Sequence, residues 1–129
     1  MAFSREVLDT AAQQREVELT TTDRRTGRDT RSIIWVSTDG ERLYVRSGGG
    51  LGRHWPQNLL ASGKGILHLQ GHDVPIGARL ILDPSEARRV SDLVRRKYGP
   101  QVAVSAVDEP LTPGETASFE LAHEAEERP

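Results

Sequence analysis

The sequence contains no cysteine, which removes disulfides, thiolate metal sites and a cysteine nucleophile from consideration. Aromatic residues make up only 5% of it, against 36% hydrophobic residues overall, so the expected core is lean and aliphatic. That scarcity also argues against a surface that stacks single-stranded bases. No apolar run approaches the ~20 residues that span a bilayer, and the opening MAFSREVLDT has no signal-peptide core. A cytoplasmic protein with no membrane partner is the expectation. The net charge is −2, so there is no whole-molecule field to draw nucleic acid. His54, His68, His72 and His123 form no metal-ligand spacing, and no nucleophile-elbow sequence occurs. No metal site, acid, base or nucleophile is singled out.

Charge is abundant but unevenly placed. Arginines 24, 25, 28, 31, 42, 46 and 53 stand against Asp29, Asp39 and Glu41, a local balance of +4, while glutamates crowd the last fifteen residues. An anionic ligand of the first half is the natural inference. Its centre is the stretch 43–60: a strand, then Gly48, Gly49, Gly50 and Gly52, then a helix from about Arg53 to Ala61. Glycines let a ligand approach backbone N–H groups, and a helix N-terminus stabilises a phosphate or carboxylate. The run is neither a dinucleotide fingerprint nor a phosphate-binding P-loop.

The remaining pattern is that of short strands. A helix is expected over 4–13, capped by Ser4. Alternation and β-branching predict strands at 17–22, 31–38, 42–47, 64–70, 74–82 and 117–122. Asp39-Gly40 predicts a type I′ hairpin between the second and third. In the fifth, Val74, Ile76, Ala78, Leu80 and Leu82 share one face. Asp83-Pro84-Ser85-Glu86 is a complete helix start, with Ala87, Val90, Leu93, Val94 and Tyr98 as the buried stripe and Gly99-Pro100 as the stop. The fold expected is mainly β with flanking helices, a six-stranded antiparallel split β-barrel forming one domain over 1–122. Residues 123–129 are expected to be a disordered acidic tail.

Several readings stay open. Arginines 24, 25, 28 and 31 either grip a phosphate or polyglutamate group or form a solvated hairpin. Trp35, inside an apolar strand, is placed in the core or a dimer interface; Trp55, after the glycine loop and beside Pro56, is placed against a ligand. The lean core is expected to leave apolar surface on Trp35 and the flanking strands that one chain does not cover, which a second copy would bury.

Three segments, taken in order, resemble the flavin- and deazaflavin-binding split β-barrel proteins, the pyridoxamine-phosphate-oxidase-like superfamily. They are Leu19 to Arg28, a threonine-rich strand entering a basic turn; Asp39 to Gly50, followed by Trp55 and Asn58-Leu59-Leu60; and Arg96-Lys97-Tyr98-Gly99. The likeness is greatest to small deazaflavin-dependent nitroreductase-like proteins and to a group of similar length without assigned function. It implies a homodimer with FMN or F420 in a groove between subunits, and reduction of a small electrophile or quinone. The cofactor-binding candidates carried across are Thr21, Thr22, Arg25, Thr26, Ser47, Gly48, Gly49, Gly50, Trp55 and Asn58. Those relatives commonly have a lysine inside the serine-glycine loop, and here glycine takes its place. The alternative is a non-catalytic split-barrel protein that binds a small ligand or tetrapyrrole, or a cofactor-free dimer.

Overall fold

The computed structural model describes residues 2–124. Helix α1, Arg5–Gln13, opens with the Ser4 hydroxyl accepting the Val7 N–H at 3.2 Å. Strands follow as β1 (Val17–Thr22), β2 (Asp29–Ile34), β3 (Val36–Thr38) and β4 (Leu43–Arg46). Helix α2 (His54–Ser62), β5 (Lys64–Leu69), β6 (His72–Leu80), α3 (Pro84–Tyr98), the one-turn α4 (Pro113–Thr116) and β7 (Ser118–His123) complete the chain. All pairings are antiparallel, in the order β2-β1-β5-β6-β7-β4-β3. The sheet therefore has seven strands, not the expected six.

The extra strand has a definite origin. The run 31–38 is broken at Trp35: Ile34 pairs with Val17 of β1, while Val36 pairs with Val45 of β4. One β-branched stretch thus supplies both edges of the sheet, and the two edges stay joined through a single residue. Local periodicity cannot reveal such a break, because both halves are good strand sequence. The turn after β3 also differs from expectation. Thr38 pairs with Leu43, leaving four residues in the loop, and Asp39 has no positive φ. Its carboxylate instead accepts the N–H groups of Glu41 and Arg42 at 2.9 and 2.7 Å, an Asx-type closure.

Two apolar clusters hold the fold. One fills the curl of the sheet, where Leu19, Val36, Leu43, Leu67, Ile76, Phe119 and Leu121 meet Val7, Leu8 and Ala11 of α1 and Leu59 of α2. The other lies outside the sheet, where Tyr44 and Ile81 meet Ala87, Val90, Val94 and Tyr98 of α3. β6 ends at Leu80, so Ile81 turns into this second cluster and Leu82, expected in the core, is 78% exposed. α3 is capped as its sequence requires: Asp83 accepts the Glu86 N–H at 3.1 Å, and Gly99 ends the helix at φ +118°. Its last turn carries a strong tie, because the Lys97 ammonium donates to the carbonyls of Ala11, Gln14 and Val36 at 2.7–2.8 Å. β7 runs one residue past the expected strand, to His123. Of the expected acidic tail, residues 125–129 lie outside the described residues.

Candidate functional site

The segment after β4 builds the most distinctive surface of the molecule. The Ser47 N–H is taken by the Ala117 carbonyl at 3.1 Å, and the Gly50 N–H closes a turn onto the Ser47 carbonyl at 2.9 Å. Gly50 sits at φ +90°, a conformation that a side chain would strain. Among the described residues, the N–H groups of Gly48 and Gly49 have no hydrogen-bond partner. Neither has the Ser47 hydroxyl, although Ser47 is only 3% exposed. A buried hydroxyl without a partner costs free energy, so its presence calls for a reason.

Two arginines flank this loop. Arg53 is the N-cap residue of α2 and makes no side-chain cap; Pro56 brings no N–H to that end of the helix. The Arg53 side chain instead lies over Gly49, where an added Cβ would stand 2.8 Å from Nε. Arg46, the last residue of β4, is half-buried; its Nη1 donates to the Ser91 hydroxyl at 2.7 Å, and its guanidinium lies against Gly114. Burial lowers the Arg46 guanidinium from its ordinary value, and the Glu115 carboxylate opposes that shift.

These groups line one side of a cleft of about 670 Å³. The remaining lining is largely apolar, with Ile33, Trp35, Val94, Val102 and Pro113. Trp35, at the break between β2 and β3, is 37% exposed and stacks on Tyr98 with centroids 3.9 Å apart and planes 1° off parallel. Tyr98 is itself fixed, its hydroxyl donating to the Arg15 carbonyl at 2.6 Å. The indole therefore offers a rigid flat face in the cleft rather than lying in the core. A cavity of this size, with an apolar wall and a cationic end, suits a small ligand that joins a flat ring to an anion.

Four of the sequence-derived candidates meet here: Ser47, Gly48, Gly49 and Trp55. Trp55 is largely buried, tilted against Phe119, and belongs to the interior cluster. Gly50 shapes the loop without lining the cleft. Thr21 and Thr22 lie along a separate groove of about 470 Å³ beside β5. Thr21 and Asn58 are buried, with Asn58 Nδ2 donating to the Thr21 hydroxyl at 3.4 Å, while Asn58 Oδ1 accepts the Arg24 N–H and guanidinium at 3.2 and 2.9 Å. Together they tie the 23–28 hairpin to α2. Arg25 and Thr26 are in that hairpin, where their N–H groups are taken by the Asp23 carboxylate at 2.8 and 3.0 Å. Those two bonds hold the Asp23 carboxyl below its ordinary value. Arg46, Arg53 and Trp35 were not among the site candidates. Position beside the glycine run was the signal available for the arginines; nothing local marks Trp35.

A second constellation lies on the outer face of β1, β5 and β6. Thr20 Oγ1 is 2.6 Å from His68 Nε2, and His68 Nδ1 is 2.8 Å from Asp73 Oδ1. The order hydroxyl, imidazole, carboxylate is that of an activated nucleophile. β1 is paired on both edges here, however, so its backbone offers no free N–H to a developing oxyanion. The chain serves as a cross-strand tie. No group of three metal-ligating side chains occurs among the described residues, and no helix among them is long and apolar enough to cross a membrane.

A curled antiparallel half-barrel whose two edge strands are joined at one residue, with helices packed inside and outside, is a fold that this chain shares with several solved structures. The chain belongs to the family described as "Uncharacterized protein conserved in bacteria (DUF2255)", which it matches over residues 7–117. Among solved structures it is similar to HutZ, the heme storage protein from Vibrio cholerae, at TM-score 0.67 and 16% identity over 98% of this chain and 93% of that one. A candidate pyridoxamine 5'-phosphate oxidase from Listeria innocua gives TM-score 0.66 and 13% identity, covering 92% and 91% of the two chains. A protein named as an F420 reductase gives 0.52 and 16%, covering 88% and 87%. No curated protein matches the sequence. At these identities the likeness is one of fold.

Proposed function

We propose that the cleft binds FMN or F420 and that the protein is a flavin- or deazaflavin-dependent oxidoreductase acting on a small electrophile or quinone. The observation that carries this reading is the buried, unpartnered Ser47 hydroxyl, set beside two arginines and the free N–H groups of Gly48 and Gly49. Such a group of donors fits a phosphate or carboxylate, and the exposed face of Trp35 in the same cleft fits a planar ring. The bound cofactor would supply hydride transfer. The residues of this chain bind and orient: Ser47, Gly48, Gly49, Arg46 and Arg53 hold the anionic end, and Trp35 and Trp55 confine the ring. The absence of any acid or base in the cleft wall accords with chemistry carried by the cofactor.

The same reading includes a homodimer. Ile33, 67% exposed, and Ile66 are exposed apolar side chains of β2 and β5, and a second copy would cover them. Light scattering at micromolar concentration should return twice the 14.3 kDa chain mass; the monomer mass would remove the dimer.

A second reading is a non-catalytic barrel that carries a small ligand or tetrapyrrole. It is favoured by the way Arg53 folds over Gly49, because the loop partly fills its own opening. Absorption spectra of the purified protein, before and after FMN, F420 and heme, separate the two. A shifted flavin or deazaflavin band, with turnover of a quinone when reductant is supplied, supports the oxidoreductase. A heme band alone, or no cofactor band, supports the carrier.

A further inference from the structure

Glu115 is a fully buried carboxylate that lines no part of the cleft. Its Oε1 accepts the Thr112 N–H at 2.9 Å and its Oε2 the Ser105 N–H at 3.1 Å. The Thr112 hydroxyl returns the bond by accepting the Glu115 N–H at 3.2 Å, a complete capping box. Burial works to raise the carboxyl, but these N–H groups, with the hydroxyls of Ser105 and Ser91, bring it to about 2. A buried carboxylate is costly without a countercharge. Among the described residues Glu115 makes no direct ion pair, and the cation that senses it is Arg46. Ser91, fully buried on α3, accepts a hydrogen bond from Arg46 Nη1 at 2.7 Å. Gly114, immediately before Glu115, leaves the space in which the Arg46 guanidinium lies; a Cβ there would collide with it.

We propose that Glu115 is a positioning residue for the cleft: its capping box fixes the 112–115 turn, so that Gly114 and Ser91 hold the Arg46 guanidinium in one orientation and Arg46 meets the anionic end of a ligand already aimed. This rests on the cleft reading above, and it adds the device that sets the selectivity for a phosphorylated over an unphosphorylated ligand. A Glu115 that only stabilised the fold would leave that selectivity alone. Preorganisation of Arg46 makes the two depend on each other.

The test compares FMN with riboflavin, which has the same ring and no phosphate, by quenching of tryptophan fluorescence, and adds inorganic pyrophosphate by calorimetry. Ser91→Ala and Gly114→Ala leave Glu115 and the fold in place but release or displace Arg46. Each is expected to weaken FMN and pyrophosphate by roughly three- to tenfold, the value of one such hydrogen bond, with riboflavin unchanged. Glu115→Gln should do the same if it folds; the other two variants decide the matter if it does not. An unaltered FMN-to-riboflavin ratio in Ser91→Ala and Gly114→Ala overturns the positioning role while leaving the cofactor reading standing. Binding of pyrophosphate without any flavin or F420 removes the cofactor reading, and the pyrophosphate arm then decides the positioning role alone. A wild-type protein that binds none of these ligands overturns both.

Discussion

Two segments of this chain combine glycine, hydroxyl side chains and arginine, and they use them in opposite ways. In the hairpin 23–28 the concave N–H groups of Arg25 and Thr26 are filled by the chain's own Asp23 carboxylate, and the Thr26 hydroxyl accepts the Arg28 N–H. In the loop 47–50 the Gly48 and Gly49 N–H groups and the Ser47 hydroxyl have no partner among the described residues. The hairpin carries its anion with it. The loop does not, and lies between two arginines at the end of a cleft. What supports the loop as the proposed binding site is therefore a buried hydroxyl left without a partner beside two arginines, and the number of arginines in a segment is a poor guide to that.

The largest effect should come from closing the loop. Gly49→Val puts a side chain where Arg53 now lies, displacing the guanidinium and covering the N–H groups beneath. Affinity for FMN or F420 should fall by more than about a hundredfold, the loss of several charge-assisted contacts, while circular dichroism shows the barrel intact. Retained affinity would assign the anion elsewhere.

Ser47→Ala should give an intermediate effect with an unusual pairing of signs. Ligand affinity should drop by roughly fivefold for one lost hydrogen bond. The ligand-free protein should melt at the same temperature or higher, because a buried hydroxyl without a partner has been removed. A fall in both melting temperature and affinity would mean that Ser47 already has a partner in the free protein.

Arg25→Ala should change cofactor affinity by less than about twofold, since its N–H is occupied and its side chain lies outside the cleft wall. The smallest effect is also the most pointed. Asp23→Ala should free the Arg25 and Thr26 N–H groups and turn the hairpin into a weak phosphate site, read as a phosphate-dependent shift of the Thr26 amide by NMR. In the wild type the same site should open only in acid. The Asp23 carboxyl lies below its ordinary 3.8, so its stabilisation is present above that value and is lost as pH falls below it. No amide shift in Asp23→Ala would break the contrast between the two segments.

Much of this architecture could be read from local pattern. Asp83-Pro84-Ser85-Glu86 stated the start of α3 because caps are encoded within four residues, and the α3 stripe from Ala87 to Tyr98 follows from helical spacing. The Ser47–Gly50 loop stood out through its glycines. What escaped depends on contacts distant in sequence. The division of 31–38 at Trp35 follows from pairing with β1 on one side and β4 on the other, and neither partner is visible within the run. Ile81 faces α3, and Leu82 faces solvent, because β6 ends sooner than its alternation suggests. The basic hairpin suggested an anion site by its arginines, but the decisive residue there is Asp23, whose carboxylate occupies the turn. Arg46 gains its place only through Ser91 and Gly114, which are 45 and 68 residues further along the chain.

The central claim is that a flat anionic cofactor occupies the cleft, and the two tryptophans of the protein provide its most direct measurement. Trp35 and Trp55 are the only tryptophans in the sequence, and both line that cleft. Titration of the wild-type protein with FMN and with F420 should quench most of the tryptophan fluorescence along a saturable curve, with Trp35→Phe removing part of the signal. Fluorescence that stays unchanged to high micromolar concentrations of both cofactors would contradict the claim.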